Sequence, residues 1–205
     1  MTEIMNWQDN TWMLTKSGRR VELLDPDPVT IDLDDIAWHL SGIMRYTGAG
    51  KRNISVLEHS AYVYALVCMA GGSPIQQIGA LLHDAHEAYM GDVTTPMKRS
   101  LRTDAVGRME DVFDRAIQQS LGVVWDTTDH LIKKADRWAM GFERNALLPP
   151  HEDWTFDLSD APCKIDVPLI YLVPRSTMAE HFAAKVRERI AYIKDHEARP
   201  LVAAE

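Results

Sequence analysis

The stretch at residues 73–92, SPIQQIGALLHDAHEAYMGD, combines a clear helix signal with a dense group of ionisable side chains. It opens with Ser73, then Pro74 and Gln76, which is a capping box with a proline at the first helical position. Apolar residues then recur at helical spacing, at Ile78, Leu81, Leu82 and Ala85. Because Gly91 is a typical C-terminal stop, the stretch predicts one amphipathic helix that ends at Gly91.

On either side of this helix, apolar periodicity and capping signals predict five more helices. They run from Asp32 to the glycines at 48–50, from Ser55 to Gly71, over 104–121, over 129–146, and from Thr177 to about His196.

The segments between these helices carry turn signals or prolines. Residues 10–24 predict a short hairpin or an extended arm, whereas residues 91–103 and 149–175 hold prolines and are predicted to be irregular. The sequence therefore predicts one all-α domain over residues 1–205. It is a bundle of about six helices with an irregular N-terminal arm at 1–30 and an irregular connector at 149–175.

Composition excludes several classes of function. The chain has 205 residues and a formal charge of −8, which argues against a nucleic-acid partner because phosphate backbones require a cationic surface. Two cysteines exclude a disulfide scaffold or a cysteine-rich zinc site. The longest apolar run is about half of the roughly twenty residues that span a bilayer, so no membrane partner is predicted. The N-terminus lacks a secretion signal, and the expected location is the cytoplasm.

The ionisable residues of the opening segment suggest a metal site. His83 and Asp84 are adjacent at the edge of an apolar face, where they are costly to desolvate unless they are paired or bind a cation. Glu87 follows His83 by one helical turn and is a candidate proton acceptor. The simpler alternative is a structural hydrogen-bonded His–Asp pair. A zinc-protease motif is excluded because it requires a histidine where Met90 stands.

Two residues on other predicted helices strengthen the metal interpretation. His59 lies in the first turn after the Ser55 capping box, and Asp136 lies mid-helix among apolar residues. Three helices would then offer two imidazoles and two carboxylates to one point. Such a mixed set suits zinc, manganese, iron or cobalt and leaves positions open for water and substrate.

The order His…His-Asp…Asp on a helical chain resembles the HD-domain metal-dependent phosphohydrolases. The small nucleotide-cleaving branch, with bacterial 5′-deoxynucleotidases and phage dATP triphosphohydrolases, is the most similar part of that family. The resemblance covers about residues 20–145 and includes LLDPDP (23–28), DIA (35–37), RY (45–46) and SVLEHS (55–60).

The resemblance implies roles for the residues that match the family motifs. The metal ligands would be His59, His83, Asp84 and Asp136. Glu87 would assist the attacking water, and Asp92 would be a second catalytic carboxylate near the reacting phosphate. The implied cofactor is a divalent transition metal (zinc, cobalt or manganese), with further divalent ions bound alongside the substrate phosphates.

The resemblance also implies a substrate-binding set. Arg45 and Lys98 would contact phosphate, Tyr46 would lie against the sugar or base, and Pro96 would help wall the base pocket. Alternatives are a surface ion pair for Arg45 and a solvated basic cluster for Lys98. His86 is expected to support the site or lie at the surface.

The implied activity is hydrolysis of deoxynucleotides at the α-phosphate. The favoured reaction converts dATP to deoxyadenosine and triphosphate. The alternatives are a 5′-deoxynucleotidase acting on monophosphates, and a non-catalytic HD-like binding module. Because relatives form dimers or larger assemblies, a homo-oligomer is also implied.

Overall fold

The computed structural model describes residues 10–168 and 173–197, and within them the fold is helical apart from one small hairpin. The strands are β1 (Trp12–Leu14) and β2 (Arg20–Glu22). The helices are α1 (Leu33–Leu40), α2 (Val56–Met69), α3 (Pro74–Leu82), α4 (Glu87–Met90), α5 (Thr95–Ser100), α6 (Ala105–Leu121), α7 (His130–Leu147) and α8 (Arg175–Glu197). The predicted all-α bundle with an N-terminal arm is confirmed.

The N-terminal hairpin is held against α1 by one buried carboxylate. Strands β1 and β2 are antiparallel, with Met13 opposite Val21, whose side chain is fully buried. The Asp35 carboxylate accepts hydrogen bonds from the backbone N–H (2.8 Å) and the hydroxyl (2.6 Å) of Ser17 in the hairpin turn. The predicted hairpin is confirmed for the described part of the arm, and residues 1–9 lie outside the described residues.

The two predicted capping boxes fix the starts of α2 and α3. The side chains of Ser55 and Glu58 bond reciprocally to each other's backbone N–H, and Ser73 and Gln76 do the same. These bonds satisfy amide groups that a helix start leaves without a partner. The helices that carry the candidate site therefore begin where the sequence predicts.

The predicted continuous helix from Pro74 to Gly91 is wrong in the middle. The chain leaves the α-helix after Leu82, turns through residues 83–86, and resumes as the short α4 before Gly91. In this turn the bonds join residues three apart, as from the Glu87 N–H to the Asp84 carbonyl at 3.1 Å. Apolar periodicity continues through the break, so it carries no sign of the tighter turn.

The predicted first helix is also too long, because α1 ends at Leu40. The following residues pair with the segment before α2, with Met44 opposite Ser55 in an isolated bridge. Gly42 leaves room for a side chain from α8, since a Cβ at this position would overlap the Arg175 guanidinium. Tertiary contacts thus replace the last predicted turns of this helix.

Two other boundaries differ from the prediction. The short α5 lies inside the stretch 91–103 that was expected to be irregular, and α8 begins at Arg175, before the predicted cap at Thr177. The connector is irregular over 149–168 as predicted, and residues 169–172 lie outside the described residues.

Two apolar clusters hold the helices together. The larger one joins α1, α3, α6 and α8, and the second lies mainly between α2 and α7. Helix α2 packs against both α3 and α7, so the turn after α3 faces the middle of α7 across the start of α2. Within the described ranges, no helix has the length and apolar character needed to cross a membrane.

Candidate metal centre

Three of the predicted ligands converge between α2 and the turn after α3. His59, His83 and Asp84 each offer a ligand atom, and these atoms lie within 4.8 Å of one another. The His59 and His83 ring centroids are 5.2 Å apart, and the His59 side chain is fully buried. The break after Leu82 places His83 and Asp84 on this point together.

The fourth predicted ligand, Asp136, reaches the same point from α7. Its Oδ1 lies 3.0 Å from Nε2 of His59. The same Nε2 is 3.9 Å from Oδ2 of Asp84, which is 3.2 Å from Nε2 of His83. All four side chains that the family resemblance implies as ligands therefore lie around one small volume.

The hydrogen bonding of the His83 ring indicates whether a cation fits the volume between these four side chains. Its Nδ1–H donates to the Ala80 carbonyl at 2.9 Å, which leaves Nε2 with a lone pair in the neutral ring. This Nε2 is buried and has no hydrogen-bond partner among the described residues, although an Asp84 oxygen is close. A divalent cation between this Nε2 and the Asp84 oxygen would give both a partner, so it fits the donor set.

Glu143 on α7 organises the site and was not identified from the sequence. Its carboxylate is fully buried and accepts hydrogen bonds from Nδ1 of His59 (2.7 Å), from the Tyr46 hydroxyl (2.8 Å) and from Nε of Arg45 (3.1 Å). A carboxylate behind a ligating imidazole fixes the orientation of the ring. The available signal was its position seven residues after Asp136, on the same face of α7.

Arg45 lies inside the protein rather than at a surface ion pair. It is 9% exposed, and Nη1 is 3.7 Å from Oδ2 of Asp84. Burial lowers the pKa of Arg45, but the charges of Glu143 and of its other acidic neighbours outweigh this and raise it. The guanidinium is therefore fixed as a cation beside the proposed ligands.

Tyr46 occupies a strained backbone position beside Arg45. Its φ of 56° is in the left-handed region, as is the φ of 50° at Thr47. Such conformations cost about 1–3 kcal/mol and cluster at functional sites. The hydrogen bond from Tyr46 to Glu143 holds the tyrosine at the centre, although contact with a sugar or base stays a prediction.

The two predicted acid–base residues lie beside the ligand cluster. Glu87 opens α4 and is 6% exposed. Burial, together with the charges of Asp84 and Asp92, raises the pKa of Glu87 to about 10. Burial also raises the pKa of Asp92, helped by Asp84 and opposed by Arg45. Both carboxyls are thus held in a state that favours proton uptake.

The remaining predicted substrate residues, Pro96 and Lys98, lie on α5. The Lys98 ammonium forms an ion pair with Oε1 of Glu110 at 2.5 Å, although its charge still acts on Glu87. Pro96 is exposed in the first turn of α5. Phosphate contact by Lys98 and a base-pocket wall at Pro96 stay predictions.

The pKa of His59 is set by the charged groups around it in the centre. Burial and the Arg45 charge lower its pKa, but Glu143 and Asp136 outweigh them and raise the pKa to about 9. Burial raises the pKa of Asp84, whereas His83 and His59 lower it well below its usual value. Without a cation, the centre therefore holds an imidazolium among carboxylates.

His86 is buried rather than at the surface. Its Nδ1 lies 2.9 Å from Oδ1 of Asp114 on α6. Together with Asp84 and Glu87 it forms a second group whose ligand atoms all lie within 4.8 Å of one another.

Comparison with known proteins places the chain among bacterial relatives. The uncharacterized protein YfdR of Escherichia coli is 34% identical over 141 residues, which are 67% of this chain and 72% of YfdR. The chain belongs to the YfdR family. A second relative, an uncharacterized protein of Rhodobacter capsulatus, is 37% identical over 116 residues, which are 55% of this chain and 59% of the relative. No family model matches the chain.

Proposed function

We propose that this YfdR-family chain is a metal-dependent phosphohydrolase that cleaves deoxynucleotides at the α-phosphate. The observation that carries the proposal is the convergence of His59, His83, Asp84 and Asp136 on one volume. The buried lone pair of His83 and the cationic Arg45 beside the same volume support it. Both features are unfavourable in a structural His–Asp pair, which would satisfy its own hydrogen bonds.

The proposed ligands would hold a zinc, cobalt or manganese ion. When bound, such an ion lowers the pKa of a coordinated water toward about 7 and offsets charge on a phosphate oxygen. Glu143 keeps the His59 ring oriented through Nδ1. Arg45 supplies a fixed positive charge for the phosphate, and Lys98 adds a second one when it leaves Glu110.

Proton transfer falls to Glu87 and Asp92. With a pKa of about 10, Glu87 holds its proton near neutral pH and can deliver it to the departing 5′-oxygen of the nucleoside. Water supplies the hydroxyl group that joins the phosphorus, its other proton passes to Asp92, and the bond from phosphorus to the 5′-oxygen breaks as that oxygen takes the proton of Glu87. The products are a deoxynucleoside and phosphate or triphosphate, according to the substrate.

The family resemblance favours dATP as the substrate, with deoxyadenosine and triphosphate as products. The pairing of Lys98 with Glu110 favours a second candidate, a 5′-deoxynucleotidase acting on monophosphates, since less positive charge then faces the phosphate chain. A homo-oligomer in the cytoplasm, with further divalent ions bound alongside the substrate phosphates, belongs to the same proposal.

The test is hydrolysis of a panel of dNTPs and dNMPs by chelator-treated protein, with single metals added back. We expect release of triphosphate from dATP or of phosphate from a monophosphate. The Asp84→Ala variant is expected to lose bound metal and turnover together, whereas Glu87→Gln is expected to keep the ion held by His59, His83, Asp84 and Asp136 and to lose about 10²–10⁴-fold in kcat. Asp111→Asn, an exposed change on α6, is the matched control.

Two outcomes would contradict the proposal. Full activity of Asp84→Ala would remove the assigned ligand set. Metal binding without hydrolysis of any nucleotide would instead identify a non-catalytic binding module.

A further inference from the structure

We propose that Asp84, His86 and Glu87 hold a second divalent cation, beside the first and independently of substrate. Their ligand atoms lie within 4.8 Å of one another, and Asp84 belongs to both groups. The inference rests on the proposed function because Asp84 would serve both ions. It goes further by assigning a second ion to protein side chains rather than to substrate phosphates.

Glu87, a member of this second group, has a buried oxygen without a hydrogen-bond partner among the described residues. Glu87 is 6% exposed, and its Oε2 is buried with no hydrogen-bond partner in the described part of the chain. A carboxylate oxygen without a donor is costly to bury. A cation next to it would supply the missing favourable interaction.

His86 is oriented as a ligand by its other ring nitrogen. It is 7% exposed, and its Nδ1–H donates to Asp114, so Nε2 carries the lone pair in the neutral ring. The nearest acidic oxygen to Nε2, on Glu110, is 3.8 Å away, which is too long for a hydrogen bond. The pairing of His86 with Asp114 repeats the pairing of His59 with Glu143 at the first volume.

Neighbouring cations do not neutralise this region. The Lys98 ammonium is paired with Glu110, and Nε of Arg45 is bound to Glu143. Nη1 of Arg45 is 3.7 Å from Asp84, but Glu87 has no ion-pair partner among the described residues, and one imidazole with two carboxylates suits a metal such as Mn²⁺.

The assignment changes the role of Glu87. With Oε2 of Glu87 bound to the second ion, Asp92 becomes the carboxyl that exchanges protons with substrate. The half-buried position of Asp92 beside the cluster is compatible with that role.

The experiment is a titration of the chelator-treated full chain with Mn²⁺ alone, followed by calorimetry and electron paramagnetic resonance. We expect two ions per chain and the exchange-coupled signal of a carboxylate-bridged pair. His86→Ala is expected to bind one ion with an uncoupled signal. Asp114→Asn, which removes the carboxylate behind His86, should weaken the second ion by about 10–100-fold. Asp111→Asn on the same helix is the matched control and should retain both.

The outcomes separate this inference from the proposed function. One ion per wild-type chain would overturn the second site and leave the first intact, whereas no ion at all would overturn both. Two ions in His86→Ala, or a second ion of unchanged affinity in Asp114→Asn, would also overturn the assignment. If circular dichroism shows that His86→Ala is unfolded, His86→Gln, which keeps a donor for Asp114, replaces it.

Discussion

Two regions of this protein are equally buried and chemically opposite. The cluster between α1, α3, α6 and α8 is apolar, with Ile36 and Ile117 fully buried. The centre between α2, the turn after α3 and α7 is polar, with His59 and Glu143 also fully buried. Burial by itself therefore says little about the task of a residue.

The difference lies in whether each buried group is satisfied from within the fold. Apolar side chains gain about 25 cal/mol per Å² on burial and need no specific partner. Polar groups need one, yet Nε2 of His83 and Oε2 of Glu87 have none among the described residues. The apolar cluster stabilises the bundle, while the polar centre gives up stability by burying polar groups without partners.

The largest effect is expected for Glu143→Ala, which removes a buried carboxylate from the polar centre. The change leaves Arg45 and His59 buried without their shared carboxylate, and we expect a loss of about 3–5 kcal/mol in the free energy of unfolding. Metal affinity should also fall by about 10–100-fold, because the His59 ring loses its orienting partner. Chemical denaturation and calorimetric metal titration measure the two effects.

Glu180→Ala, an exposed change on α8, is the control for Glu143→Ala and should alter neither quantity. Unchanged metal affinity in a folded Glu143→Ala protein would show that Glu143 is structural only.

A change in the apolar cluster should separate stability from binding. Ile117→Ala leaves a cavity beside α6, and we expect a loss of about 2–5 kcal/mol in unfolding free energy. Metal affinity measured below the unfolding transition should match that of the wild type, because Ile117 does not belong to the polar centre. A metal defect in this variant would mean that the two regions are coupled.

The smallest expected effect is the change with pH in the affinity for the first ion, the one that His59, His83, Asp84 and Asp136 would hold. With a pKa of about 9, His59 is protonated at pH 7 in the ion-free protein, and the cation must displace that proton. Apparent affinity should rise about tenfold per pH unit up to pH 9 and then level off. Calorimetry in two buffers of different ionisation enthalpy should count the released protons.

The stability of the ion-free protein should change in the opposite direction. The folded pKa of His59 lies above its ordinary value of 6.5, so its contribution is complete below pH 6.5 and is lost as the pH rises through 9. A metal affinity that does not vary with pH would contradict the assignment of His59 as a ligand.

Local signals accounted for the helix starts and for the ligand types. The capping boxes at Ser55 and Ser73 act between neighbours in sequence, so they could be predicted without tertiary information. The break after Leu82 could not be predicted, because Ala85 continues the apolar pattern through the turn. Glu143 was missed for a similar reason, since a lone carboxylate on a helix gives no sign of its partners.

The sequence by itself determined the helical class, the starts of α2 and α3, and the presence of two imidazoles and two carboxylates in the order His…His-Asp…Asp. Tertiary structure alone decided that Glu143 lies behind His59, 84 residues away in the chain, and that His86 faces inward beside Asp114. The physical reason is the distance along the chain over which each kind of interaction acts. Capping and periodicity are set by bonds within a few residues, whereas the partner of a buried charge is set by which helices pack together.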